Sequence, residues 1–309
     1  MGERSALRGA LRWVRVLVAL GLVGLLAWRA GVSDLAEVSA GFEPLWALLA
    51  LALVPVSLLV RAYNHSLLLN RDERVIGLGD MTRLTLVGVG INLVVPLGAA
   101  DLAKAHYGYR LHGHPERMIV SSVLDKVTSL TAVAVLGLAG ALVAGEAVMA
   151  ALAATVALAS LAPFVAPGLM PWRWLVRVLA PKAQIAEDTL RDAARAPLRL
   201  LAAVYAVSLG AWLITYAIVW LCCRAVGADV GPAYVLALAP FATLARLVPV
   251  SVGGIGLGEV TMAALLVRAG VARDLASLAA LLQMALAVLL PGAAGAVLLA
   301  AGRRRERAT

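Results

Sequence analysis

The sequence predicts an all-α, polytopic membrane protein, with about eight transmembrane helices plus one re-entrant broken segment. Three observations lead there. Hydrophobic residues make up 62% of the 309 positions and charged residues only 15%, where a soluble domain carries roughly a quarter. Mean hydropathy is +0.91, and nearly uncharged stretches of about 18 or more residues recur, each long enough to cross a bilayer. The basic residues behind the net charge of +9 gather at the ends of those stretches. That is positive-inside patterning, so nucleic acid is not an expected partner. Polar connections are short, which leaves no room for a separate soluble catalytic domain.

Along the chain, residues 1–12 are polar and carry Arg4, Arg8 and Arg12, and Trp13–Trp28 follows as a first span. A signal peptide would read similarly at first, but no convincing small-residue cleavage site follows and many more spans do. The loop at 29–44 is acidic on balance, as suits the outer side. A second span covers about 45–60, after which Arg61, Arg71, Arg74 and Arg83 mark a cytoplasmic loop. The next apolar segment, 84–100, is interrupted by Gly88, Gly90, Asn92, Pro96 and Gly98. It precedes a polar stretch with Asp101, Lys104, His106, Arg110, His112, His114 and Arg117. A re-entrant hairpin at 84–100 keeps that basic stretch cytoplasmic; a full crossing would put it outside.

Spans at about 118–144 and 147–168 follow, the first with Asp125 and Lys126 embedded near its start. The connection at 169–199 is basic, and Trp172, Trp174, Leu175 and Val178 give it an amphipathic, surface-lying character. A sixth segment covers about 200–223 and a seventh about 232–250, the latter containing Arg246. A broken stretch then leads to a short apolar run, 260–267, and a turn between Arg268 and Arg273. The last span, about 275–301, ends in Arg303-Arg304-Arg305-Glu306-Arg307. Both termini therefore read as cytoplasmic in a cell (inner) membrane, and residues 1–309 as a single transmembrane domain. Its first part is 1–168, its connection 169–199 and its second part 200–309.

The stretch Pro249–Glu259 places glycines at 253, 254, 256 and 258 between apolar flanks and closes on a carboxylate. Irregular backbone survives at membrane depth only when buried in protein or lining a water-filled cavity, so the break points to a site. Pro96-Leu-Gly98-Ala-Ala-Asp101 repeats the plan in the first part of the chain. An internal repeat fits this pairing; coincidence also fits, because glycine and proline are common in membrane helices.

With these residues on view, the chain resembles the flippase-like family that includes the transmembrane region of lysylphosphatidylglycerol synthases. The matching positions are Asn92, Pro96, Asp101 and Lys104, with Ala100 where the family shows glycine; then the acid-base pair Asp125-Lys126. The late signature is matched by Pro249, Ser251, Gly253, Gly254, Gly256 and Glu259. Departures are Val252 for a second proline, Ser129 for an acid, and Gln283 near the place of an arginine; the last two weaken the expected charge network. The resemblance spans nearly the whole chain and implies lipid translocation.

For the site, the expectation is a mid-membrane polar cavity. Lys126 and Arg246 suit a lipid phosphate, and Asp101, Asp125 and Glu259 balance those cations or meet a cationic headgroup. The glycines let backbone N–H groups approach, and a helix starting near Gly258 points its positive end inward. Snorkelling to the interface is the competing reading for each charge. The full set of candidate lipid-binding residues is Asn92, Pro96, Asp101, Lys104, Asp125, Lys126, Arg246, Pro249, Ser251, Gly253, Gly254 and Glu259.

No cofactor is expected. The glycines at 253–258 lack the βαβ setting of a nucleotide loop, His106, His112 and His114 lack zinc-ligand spacing, and no phosphate-loop ATPase signature is present. The adjacent Cys222 and Cys223 read as small buried residues. Partners expected are a membrane lipid and a glycosyltransferase or lipid-modifying enzyme. A membrane-embedded enzyme, or a scaffold for lipid-linked sugar or aminoacyl-lipid synthesis, is the alternative function. Only eight residues follow Ala301, so the chain alone is expected to lack the aminoacyl-transferring activity of the synthases.

Overall fold

The computed structural model describes residues 21, 24–25, 41–93, 104, 107–109, 113–166, 190, 192, 194–246 and 255–308, with side chains as far as 301. Among these residues the chain is all helical. Nine α-helices follow in order: α1 Pro44–Leu69, α2 Leu78–Asn92, α3 Pro115–Val143, α4 Ala147–Val165, α5 Leu198–Ala225, α6 Pro232–Ala245, α7 Leu257–Arg268, α8 Arg273–Met284 and α9 Leu290–Ala308. A π-helical turn, Ala285–Leu289, joins the last two. Proline opens α1, α3 and α6, where its missing N–H costs nothing.

Five described helices are long and apolar enough to cross a membrane: α1, α3, α4, α5 and the run Arg273–Ala301. The bundle has a centre and a rim. The apolar windows of α3 and α5 are 56% and 44% buried, against 22%, 28% and 22% for α1, α4 and the last run. Leu45, Leu142, Val143, Val148, Leu158, Val165 and Val297 project from the rim. An apolar exterior of this extent needs hydrocarbon around it. Behind it, α1 packs along α5, α3 lies against α4 and α6, and α2 against α9.

Small residues make the closest of these approaches. A side chain at Gly140 would run into the backbone of Ala237 on α6, and Gly137 sits against Pro240. Gly90 of α2 likewise meets the backbone of Gly295 and Ala296, and Gly295 meets Leu86. Dispersion between closely approaching backbones is the usual glue of membrane helices. Between α3 and α4 the Thr131 hydroxyl donates to Ser160 at 2.8 Å in a buried setting.

Several expectations are corrected. Arg61 does not mark the end of the second span: α1 continues to Leu69, because Arg61 is held inside the bundle by α5 rather than released to an interface. Gly88 and Gly90 do not break their segment, since α2 runs through both to Asn92, and each glycine makes room for a neighbour. The seventh span is short, ending at Ala245 with Arg246 as its cap. The predicted first span and the 169–189 connection lie largely outside the described residues. So does the remainder of the re-entrant segment beyond Leu93.

Candidate functional site

Two polar clusters occupy the interior of the bundle. The first is built where α7 begins. Gly256 sits at φ 91°, a left-handed conformation that suits glycine, and its N–H donates to Glu259 Oε2 at 2.7 Å. This is the carboxylate half of a capping box; glycine has no side chain to return the bond. Glu259 is only 1% exposed, so its charge needs a partner. Arg246 supplies it: Nη2 donates to Glu259 Oε1 at 2.8 Å and to Gln283 Oε1 of α8 at 3.0 Å. The arginine reaches across Gly258, where any Cβ would strike its Nε and Cγ.

The second cluster joins α1, α3 and Lys104. Asn64 Nδ2 donates to Asp125 Oδ1 at 2.9 Å, and His65 Nδ1 lies 3.8 Å from Asp125 Oδ2. Lys104 Nζ is 2.9 Å from His65 Nδ1. An ammonium only donates, so Nδ1 is the acceptor and the proton of a neutral His65 belongs on Nε2. From there it donates to Ser121 Oγ at 3.1 Å, whose own hydroxyl donates to the Met118 carbonyl at 3.2 Å. The lysine stem rests on Gly88.

Arg61 stands between the two clusters. Its guanidinium lies 4.4 Å from the ring centroid of Trp212 and donates to Thr215 Oγ1 at 3.0 Å. On the same helix, Tyr216 packs beside Trp212 with ring centroids 5.7 Å apart, and its hydroxyl lies 3.5 Å from Thr243, one turn before Arg246. Asp125 and Gln283 each stand about 15 Å along the axis from the first residues of α3 and α8, a distance comparable to half the hydrocarbon thickness. A polar seam thus crosses the middle of an apolar bundle. Buried ionisable groups at such depth are costly and point to a pathway or a ligand.

Of the candidate residues, the structure brings Arg246 together with Glu259, and sets Lys104 on His65 Nδ1, which lies 3.8 Å from Asp125. Asn92 closes α2, and Lys126 is half-buried on α3 beside Asp125. Pro96, Asp101, Pro249, Ser251, Gly253 and Gly254 lie outside the described residues. Sequence reasoning missed Arg61, Asn64 and His65, although Ser57, Arg61, Asn64 and His65 recur at helical spacing on one face of α1. It also treated Gln283 as a lost charge, where the amide oxygen in fact receives Arg246. Among the described residues, no group of three or more His, Cys, Asp or Glu is placed to hold a metal ion. The groove lined by Val260, Ala263, Val267, Arg273 and Ser277 is not bordered by any seam side chain.

Comparison with known families matches residues 12–295 to the lysylphosphatidylglycerol synthase TM region. No curated protein matches the chain.

Proposed function

The chain belongs to the lysylphosphatidylglycerol synthase TM region family, and from that membership we propose that it is a flippase-like lipid transporter rather than an enzyme. Its cargo is a phospholipid or polyprenyl-linked lipid moved between the leaflets of the cell membrane. The observation that carries this reading is the mid-depth seam of Lys104, Asp125, Arg61, Arg246 and Glu259 inside a bundle whose rim is apolar. A lipid crossing the bilayer needs polar surroundings for its headgroup, while its acyl chains stay in hydrocarbon at the rim. The short α6–α7 pair, interrupted next to the charges, supplies the kind of broken crossing that transporters use at their binding sites. Both termini are assigned to the cytoplasm from the arginine distribution. A glycosyltransferase or lipid-modifying enzyme would supply or use the cargo.

Proteoliposomes with headgroup-labelled phospholipid test this. Wild type is expected to expose inner-leaflet label to an external quencher. Glu259→Gln and Arg246→Ala should slow the exposure by about tenfold or more, since each breaks the buried pair. Wild-type rates in both folded variants would remove the site from the pathway. Failure of wild type to move any of several lipid classes would favour the scaffold role.

A further inference from the structure

We propose that Arg61, stacked on Trp212 and tethered to Thr215, forms with Arg246 a clamp for a lipid phosphate, and that the cargo headgroup is anionic rather than aminoacylated. The proposal takes its setting from the transport reading and adds the chemistry of the cargo.

Among the described residues, the seam's charges are unevenly matched. Glu259 is engaged by Arg246 and the Gly256 N–H, and Asp125 by Asn64. Arg61, by contrast, has a hydroxyl and an indole as its contacts, and no carboxylate within ion-pair distance among the described residues. The hydroxyl itself is committed: Thr215 Oγ1 donates to the Ala211 carbonyl at 2.8 Å and lies 3.3 Å from Ser57 Oγ. One N–H of five is satisfied by Thr215, and the stacked face adds a cation–π attraction that orients the fork without neutralising it.

Arg246 carries a matching deficit, because its buried Nε–H has no acceptor among the described residues. Tyr216 lies between the surroundings of the two arginines. That phenol sits 5.7 Å from the Trp212 ring and 3.5 Å from Thr243, one turn before Arg246. Two like charges in low dielectric, both with donors to spare, are stabilised by an anion that accepts from each. Phosphate oxygens fit the planar fork of arginine bidentately. An aminoacyl headgroup would bring further positive charge toward Arg61, Arg246 and Lys104, while both carboxylates are already engaged.

The test uses the full chain in dodecyl maltoside micelles, reading the shift in thermal unfolding with four probes. Dihexanoyl phosphatidylglycerol and farnesyl phosphate represent the phosphodiester and polyprenyl phosphate sources. A lysylated dihexanoyl phosphatidylglycerol represents the aminoacyl class, and inorganic phosphate the headgroup without a lipid. Either or both of the first two should stabilise the protein. The lysylated probe should bind about tenfold or more weakly, and Arg61→Gln should weaken the anionic lipids by a similar factor. Arg61→Lys should recover part of that loss.

Equal affinity for the lysylated probe, or unchanged anionic binding in folded Arg61→Gln, overturns the proposal. Inorganic phosphate binding as tightly as either lipid would assign the clamp to a free anion and overturn the lipid part. Should Arg61→Gln not fold, Thr215→Val and the wild-type competition between anionic and lysylated probes decide by the same criteria. Arg61-dependent binding without lipid movement in proteoliposomes would sink the transport reading and leave the clamp. Lipid movement indifferent to Arg61→Gln would do the reverse.

Discussion

Adding one methyl group at Gly258 should do more harm than removing many a larger side chain. Its Cβ would come within 2.8 Å of Arg246 Cδ and closer still to Nε and Cγ, where carbon atoms normally keep about 3.5–4.0 Å apart. The guanidinium must therefore move off, and its bonds of 2.8 Å to Glu259 and 3.0 Å to Gln283 cannot both survive the displacement. Glu259, 1% exposed, would keep only the Gly256 N–H. Breaking a buried pair costs about 3–5 kcal/mol. Gly258 is only the second residue of α7, where the interior helix-propensity gain does not apply, so Gly258→Ala should lose roughly 3–5 kcal/mol. Gly210, inside α5, is the control, because a Cβ there meets nothing within 4 Å. Gly210→Ala should be neutral or slightly stabilising. Denaturant midpoints of the two variants in mild detergent make the comparison, with Arg246→Met alone and combined with Gly258→Ala. If the alanine acts through Arg246, the double variant should be about as unstable as Arg246→Met. A Gly258→Ala protein as stable as wild type would refute the reasoning.

Two further outcomes follow from packing. Gly140→Leu would drive a side chain into the backbone of Ala237 and separate α3 from α6. It should cost about 1–3 kcal/mol in thermal unfolding, whereas Gly231→Ser, at φ −65° with nothing within 4 Å of an added Cβ, should cost less. Cys222 and Cys223 are fully buried. In native micelles they should resist a maleimide for far longer than in denaturant, and rapid native labelling would show that the α1–α5 contact opens.

Much of the architecture is legible because apolar length and proline position are local signals. The spans read at about 118–144, 147–168 and from 232 fall on α3, α4 and α6, although α3 begins earlier, at Pro115, and α4 ends at Val165. The partnership of Arg246 with Glu259 is also legible, since an acid at the third helical position and a nearby buried arginine constrain each other. What stays hidden depends on tertiary contact. Arg61 looks like an interfacial charge until Trp212 and Thr215, about 150 residues away in sequence, are placed beside it. Gln283 carries no charge to flag it, yet its carbonyl oxygen is a good acceptor for a guanidinium. Gly88 and Gly90 have the composition of a break but serve as contact surfaces, and only the neighbours Lys104 and Gly295 distinguish those uses.

The π turn at Ala285–Leu289 gives the last crossing two addresses. Each helical residue advances the side-chain direction by about 100°, and a π turn inserts one extra residue into that count. Before it, Gln283 faces Arg246; after it, Gly292 and Gly295 seat Leu93 and Leu86 of α2. Deleting one residue from 285–289 would rotate one set of neighbours away from its partner while the other stayed. The same turn therefore fixes both the contact with Arg246 and the seat of α2, on whose Gly88 the Lys104 stem rests.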